Sequence, residues 1–242
     1  MIDTKDKLRD AGIEAGTIRS LGQAGARPLD ELALDKDIAE AMLGKLRSAF
    51  PTTGLWPVIW GPDVPIDQCL DTFKRTEGDI ERDLAAATAI DALEWLAARR
   101  KARHVTDPDA IGRWPTNIKR WEEGLEALCA ENIRILLVPA AHAWHVPVIL
   151  GFGGFNDCPE PAELCALLRH WKELYGADPA SFGAQASSCD VLELTVENPP
   201  LDKPGAIALA KDLFIVADHE MMTPAELAAQ LIARRTWLLW WD

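Results

Sequence analysis

Residues 133–140, IRILLVPA, and residues 145–152, HVPVILGF, are two apolar runs of strand length separated only by AHAW. Short runs rich in Val, Ile and Leu, closed by Pro or Gly, predict consecutive buried strands. A helix is expected next, over 160–175, with Leu164, Leu167, Leu168, Trp171, Leu174 and Tyr175 on one stripe. Residues 190–196 alternate. Leu192, Leu194 and Val196 share one face and Val191, Glu193 and Thr195 the other, which predicts a half-buried strand. Residues 203–216 read as a helix. Thr223-Pro224-Ala225-Glu226 is a capping box with proline at the first helical position, starting a helix that runs to about Arg234. TWLLWWD, 236–242, reads as a closing strand, with Trp237 and Trp241 on one parity and Trp240 on the other. Strands mixed with helices in this way predict an α+β (or α/β) fold, a mixed β-sheet covered by helices.

Upstream, the chain reads as mainly helical. A short polar helix is followed by a loop carrying Gly12, Gly16, Gly22 and Gly25. Residues 28–50 predict a helix with Leu32, Ile38, Met42, Leu43 and Leu46 near one face, Asp30 or Asp35 as its cap and Pro51 as its stop. TGLWPVIWGP, 53–62, predicts a short buried strand near 55–60. Residues 79–103 read as one long helix with Ile80, Leu84, Ala87, Ile90, Leu93 and Ala97 recurring every three or four positions. It closes on Arg99, Arg100, Lys101 and Arg103, where the macrodipole favours cations. Pro108, Gly112 and Pro115 then break regular structure. Ile118, Trp121, Leu125 and Leu128 predict a short amphipathic helix. The organisation expected is a mainly helical region over 1–105, a linker over 106–117 and an α+β domain over 118–242.

Four pieces of the C-terminal half carry a family resemblance: VPVILGFGGFNDCP (146–159), LLRHWKELYGAD (167–178), DVLELTVENPP (190–200) and TWLLWWD (236–242). In order and spacing they resemble the domain of unknown function 4253 family. LRSAFPTTGLWPVIWG, 46–61, also looks like the upstream part of longer members. The resemblance implies a bacterial intracellular protein and brings no catalytic residues with it.

The formal net charge of -13, from 38 acidic and 25 basic residues, disfavours nucleic acid and anionic membranes as partners and favours a basic protein. Five cysteines, none in a C-x-x-C pair, speak against a disulfide framework. The charged N-terminus lacks the apolar core of a signal peptide, and no apolar run is long enough to span a bilayer. A cytoplasmic protein with reduced thiols is expected.

Candidate chemistry is sparse. Gly151, Gly153 and Gly154 lie between an expected strand and a helix, where phosphate loops sit, but Asn156 occupies the place of the third glycine and no Walker lysine follows. Cys158, just before or at the start of the helix, is expected to be a buried, inert cysteine beside Pro159, and no catalytic residue is assigned; as a nucleophile it would draw on the helix N-terminus, which lowers a thiol pKa. Its base would be His142, His145, His170 or His219. His142 and His145, three apart on a strand, would face opposite ways and so make a poor metal pair. Asp218, His219 and Glu220 are adjacent, but no zinc spacing appears, and neither metal nor cofactor is expected. Ser187 and Ser188 lack a nucleophile-elbow context. Asp190 and Glu193 fall on opposite strand faces, which argues against a joint acid–base role. Charge and the missing chemistry lead to the expectation of a cytosolic acidic protein-binding module, and the family resemblance, of a kind often found among toxin–immunity modules, implies an immunity protein occluding a basic toxin, with Trp240, Trp144, Asp157 and Glu193 as interface candidates. The alternative is a small-molecule enzyme built on the 151–158 turn and Cys158.

Overall fold

A computed structural model describes residues 3–61, 66, 70–102, 111–130, 132–183, 190–217 and 222–241. The chain opens with α1 (Thr4–Asp10), followed by β1 (Ile18–Ala24) and β2 (Arg27–Asp35), an antiparallel hairpin closed by Gly25 and Ala26. Then come α2 (Lys36–Thr53) and β3 (Leu55–Trp60), the buried strand predicted near 55–60. Helices α3 (Glu77–Ala89) and α4 (Ala92–Ala102) precede β4 (Asn132–Pro139), the first of the two predicted runs. The C-terminal half continues with α5 (Val146–Leu150), α6 (Pro161–Tyr175), β5 (Ala177–Phe182), β6 (Val191–Val196), α7 (Lys203–Val216), α8 (Pro224–Leu231) and β7 (Thr236–Trp240).

The seven strands form one mixed sheet in the order β1-β2-β4-β3-β5-β6-β7. Among the described residues only β3 and β5 pair in parallel; the other neighbours are antiparallel. The α+β class read from the sequence is therefore present. Strands from both sides of residues 106–117 share the sheet, with β4 between β2 and β3. Alternation sorts the apolar side chains onto its two faces. Trp56, Val58, Leu136, Val138, Leu192, Leu194 and Trp237 join the larger core under α3 to α8. Leu55, Ile59, Ile133, Ile135 and Leu137 join a smaller core with Leu8 of α1 and Leu43 and Leu46 of α2.

Several expectations are corrected. Residues 28–35 are strand, not helix. Leu, Glu and Ala favour a helix locally, but pairing with β1 and β4 places Leu29, Leu32 and Leu34 in the cores and overrides that preference. The region 1–105 thus contributes three strands. Pro51 does not stop α2, which ends at Gly54 in the left-handed conformation (φ 66°). Residues 79–103 are not one helix. Asp91 Oδ1 accepts from the amides of Leu93 (2.8 Å) and Glu94 (3.1 Å), starting a new helix after Ile90. Residues 118–125 are not helical; only Glu126–Cys129 makes a 3-10 turn. Residues 145–152 are not a strand. Pro147 sits in the first turn of α5 and Gly151 (φ 71°) caps it, so a wholly buried short helix had the composition of a strand. β6 is almost wholly buried rather than half-buried, because β5 and β7 flank it and both its faces are covered. The helices at 160–175, 203–216 and 224–231 and the strand from Thr236 stand as predicted, although α8 ends at Leu231.

Candidate functional site

The 151–160 turn is built from its own backbone. Gly154 N donates to the Pro159 carbonyl (3.0 Å), Cys158 N to Phe155 (2.6 Å), Phe152 N to Pro147 (2.9 Å) and Gly151 N to Val148 (3.3 Å). Gly153 (φ +129°) passes so close to this fold-back that a Cβ would lie 2.4 Å from the Pro159 oxygen. Asn156 and Asp157 also hold positive φ. Amides spent internally do not point at a phosphate. The N-terminus of α6 is taken as well, since Glu160 N donates to Glu163 Oε2 (3.0 Å), and two carboxylates there oppose an anion. The glycines thus serve the steric demands of the turn.

Cys158 is 6% exposed. Burial pushes its thiol well above the ordinary cysteine value, and of the charges that act on it Glu160 and Glu163 push it further while Arg99 opposes. Desolvation dominates the helix N-terminus here, so the thiol stays protonated. His219, Asp218, Glu220, Ser187 and Ser188 lie outside the described residues. Cys165, buried within α6, is likewise pushed up by desolvation.

His142 and His145 do meet, contrary to the opposite-face expectation. They flank a 3-10 turn (Ala143–His145) rather than lying on a strand, and three-residue spacing on such a turn aligns side chains. Their ring centroids are 5.0 Å apart, Trp144 stacks on His142 at 5.2 Å, and Arg169 lies over the Trp144 ring at 5.7 Å. Burial first, then His142 and Arg27, lower the His145 pKa to about 4, so its imidazole is neutral at pH 7. Among the described residues no group of three or more His, Cys, Asp or Glu is placed to hold a metal ion.

A concavity lies on the other side of the sheet. Residues 119–126 cross the outer face of β6 and β7 and enclose a cleft of about 590 Å³ lined by Trp121, Glu122, Glu123, Arg234, Thr236 and Leu238, among others. Glu193, expected at an interface, is instead 2% exposed at the cleft base and pins this segment down. Its carboxylate accepts from the amides of Glu126 (2.5 Å) and Ala127 (3.2 Å) and from Ser181 Oγ (2.5 Å). Arg234 fixes the rim by donating to the carbonyls of Trp121, Glu122 and Thr236 while lying over the Trp121 ring at 5.4 Å. Gln230 completes the clamp, accepting from Trp121 N and donating to the Lys119 carbonyl.

Trp121 is 38% exposed, and so is Trp240 at 39%, on the same face of β7 as Thr236 and Leu238. Trp237 and Trp241, on the opposite parity, are fully buried. The other interface candidates do not join this surface: Trp144 packs on the helix-covered core, and Asp157 is exposed on the 151–160 turn with its carbonyl accepting from Arg99. Trp121, Gln230 and Arg234 were not singled out in the sequence, because Trp121 fitted an apolar helical stripe and the partners lie more than a hundred residues away.

Among the described residues no helix is long and apolar enough to cross a membrane. No curated protein and no solved structure matches the chain. A family model described as "Domain of unknown function (DUF4253)" matches residues 134–242, beginning inside β4. All four pieces that carried the resemblance fall within that match, and with them α5 to α8 and β5 to β7: the C-terminal half of this chain matches the domain of unknown function 4253 family.

Proposed function

We propose that the chain is a non-catalytic, cytoplasmic acidic module that binds a basic protein, acting as an immunity protein does when it covers the working surface of a toxin. The observation that carries this reading is the pair of exposed indoles, Trp121 and Trp240, beside a cleft whose lining includes Glu122, Glu123 and Glu126. Exposed tryptophan is the residue type that most often anchors a protein interface. Carboxylates around it, on a chain with net charge -13, speed encounter with a basic surface and penalise acidic ones. The protonated, buried Cys158 and the internally bonded glycine turn give the enzymatic alternative no comparable support.

The test is to purify the tagged full chain from its native host beside its Trp240→Ala and Glu122→Gln/Glu123→Gln variants. One stoichiometric basic protein is expected with the wild type, harmful when produced alone and harmless with this chain. Trp240→Ala should weaken the complex by about 2 kcal/mol, roughly 30-fold, and added salt should slow its formation. A wild-type chain without a stoichiometric partner, or a partner held equally by both variants, overturns the proposal.

A further inference from the structure

A second cleft, of about 490 Å³, lies where β3 and β5 diverge. These strands pair only at Ile59–Ser181 and Trp60–Phe182. Nearer their N-terminal ends the Trp56 indole bridges them, Nε1 donating to the Pro179 carbonyl at 2.9 Å. Arg47 reaches the same place from α2. Its Nη1 donates to Thr195 Oγ1 at 2.9 Å, and its guanidinium lies 5.6 Å from the Trp56 ring centroid. Nε and Nη2 are buried and have no acceptor. Other buried arginines leave Nε unpaired, but among the described residues Arg47 alone leaves two nitrogens so. Buried polar groups without partners are rare, and an orphaned pair on one guanidinium edge asks for a ligand. That edge is the fork that holds a carboxylate through two parallel hydrogen bonds.

The neighbouring charges define what fits. Arg47, Lys172 and Arg235 line the cleft against Asp178 and Glu197. Asp178 is engaged by Lys172 Nζ at 2.7 Å; its charge also favours the Arg47 cation, but it gives the guanidinium no hydrogen bond. Burial lowers the Arg47 pKa to about 10, so it remains a cation at neutral pH. Phe50 and Trp56, packed edge to face at 5.0 Å, supply an apolar wall. We propose that this cleft binds a small monocarboxylate with an apolar body, its carboxylate on the Nε–Nη2 edge of Arg47 and its body against Phe50 and Trp56. Because both nitrogens are buried, entry requires the Arg47 side chain to swing into the cleft. A dianion such as phosphate or succinate meets Asp178 and Glu197 and is excluded.

The test uses the full chain labelled with ¹⁵N-arginine and titrated with benzoate, acetate, succinate and inorganic phosphate. The Arg47 Nε–Hε signal, assigned by its loss in Arg47→Met, should shift saturably with benzoate at a dissociation constant of about 1 mM or tighter. Acetate should bind more weakly, and phosphate and succinate should leave the signal in place. Arg47→Met gives up one hydrogen bond, to Thr195 Oγ1, together with a costly buried charge, and should fold. Arg47→Lys keeps the charge, loses the fork, and should weaken benzoate at least tenfold, read by the thermal midpoint. No saturable shift with benzoate in the wild type, or an equal midpoint response in wild type and Arg47→Lys, overturns the proposal.

Discussion

Glu193 shows what a single residue gains and loses inside this sheet. It accepts three hydrogen bonds, from Ser181 Oγ and the amides of Glu126 and Ala127, yet burial outweighs them and holds its carboxyl above the ordinary glutamate value. An acid with a raised folded-state pKa binds its proton more tightly folded than unfolded. Its contribution to stability is full below the unfolded value of about 4.3 and is lost as pH rises through the folded value. Urea unfolding of wild type and Glu193→Gln should therefore show a difference that moves in the variant's favour as pH is raised from about 4 to about 7. A difference that stays flat with pH sinks this account. Glu193→Ala, which strands three donors, should cost about 2–4 kcal/mol at any pH in that range. None of this is legible in DVLELTV, where alternation put Glu193 on a face that it assigned to solvent.

At the scale of elements, the segments read correctly are those whose signals are local. Thr223 Oγ1 accepts from Glu226 N, and Glu226 Oε2 accepts from Thr223 N, as the capping-box spacing demands. The stripe of α6 buries Leu164, Leu167, Leu168 and Trp171, although Leu174 stays 55% exposed. The division between α3 and α4 was also local, but its signal is one aspartate inside a continuous helical pattern. Asp91→Ala should destabilise the chain by about 1 kcal/mol in chemical denaturation, whereas Asp91→Asn should retain most of the cap. Equal stability of wild type and Asp91→Ala would mean that tertiary packing alone sets the break. Arg169 contributes to that packing by donating to the carbonyls of Thr88 and Ile90, which close α3. Residues 28–35 and 145–152 failed for a different reason: composition favoured one state and the neighbours in space imposed the other.

For the whole molecule, strand order is the controlling fact. β4 pairs with β2 and β3, and β5 pairs with β3 and β6. The family match begins inside β4, yet both strands that pair with β4 lie upstream of it. A fragment of residues 118–242 would leave β4 with no partner strand and expose the apolar faces of Leu136, Leu137 and Val138. It should show no cooperative unfolding transition and poorly dispersed amide spectra, while the full chain unfolds cooperatively. A fragment that melts sharply would show that the C-terminal half closes its own sheet in another way.

Periodicity, caps and breakers, which act within a few residues, are enough to place α6, α7, α8, β3 and β4, and to separate Trp240 from Trp237 and Trp241. Partnerships across the chain follow a different logic. The strand state of residues 28–35, the meeting of His142 with His145, the burial of Glu193 and the approach of Arg47 to Trp56 arise only when distant segments pack. Their energy lies in pairing and desolvation between residues far apart in the chain, and no local window contains both partners.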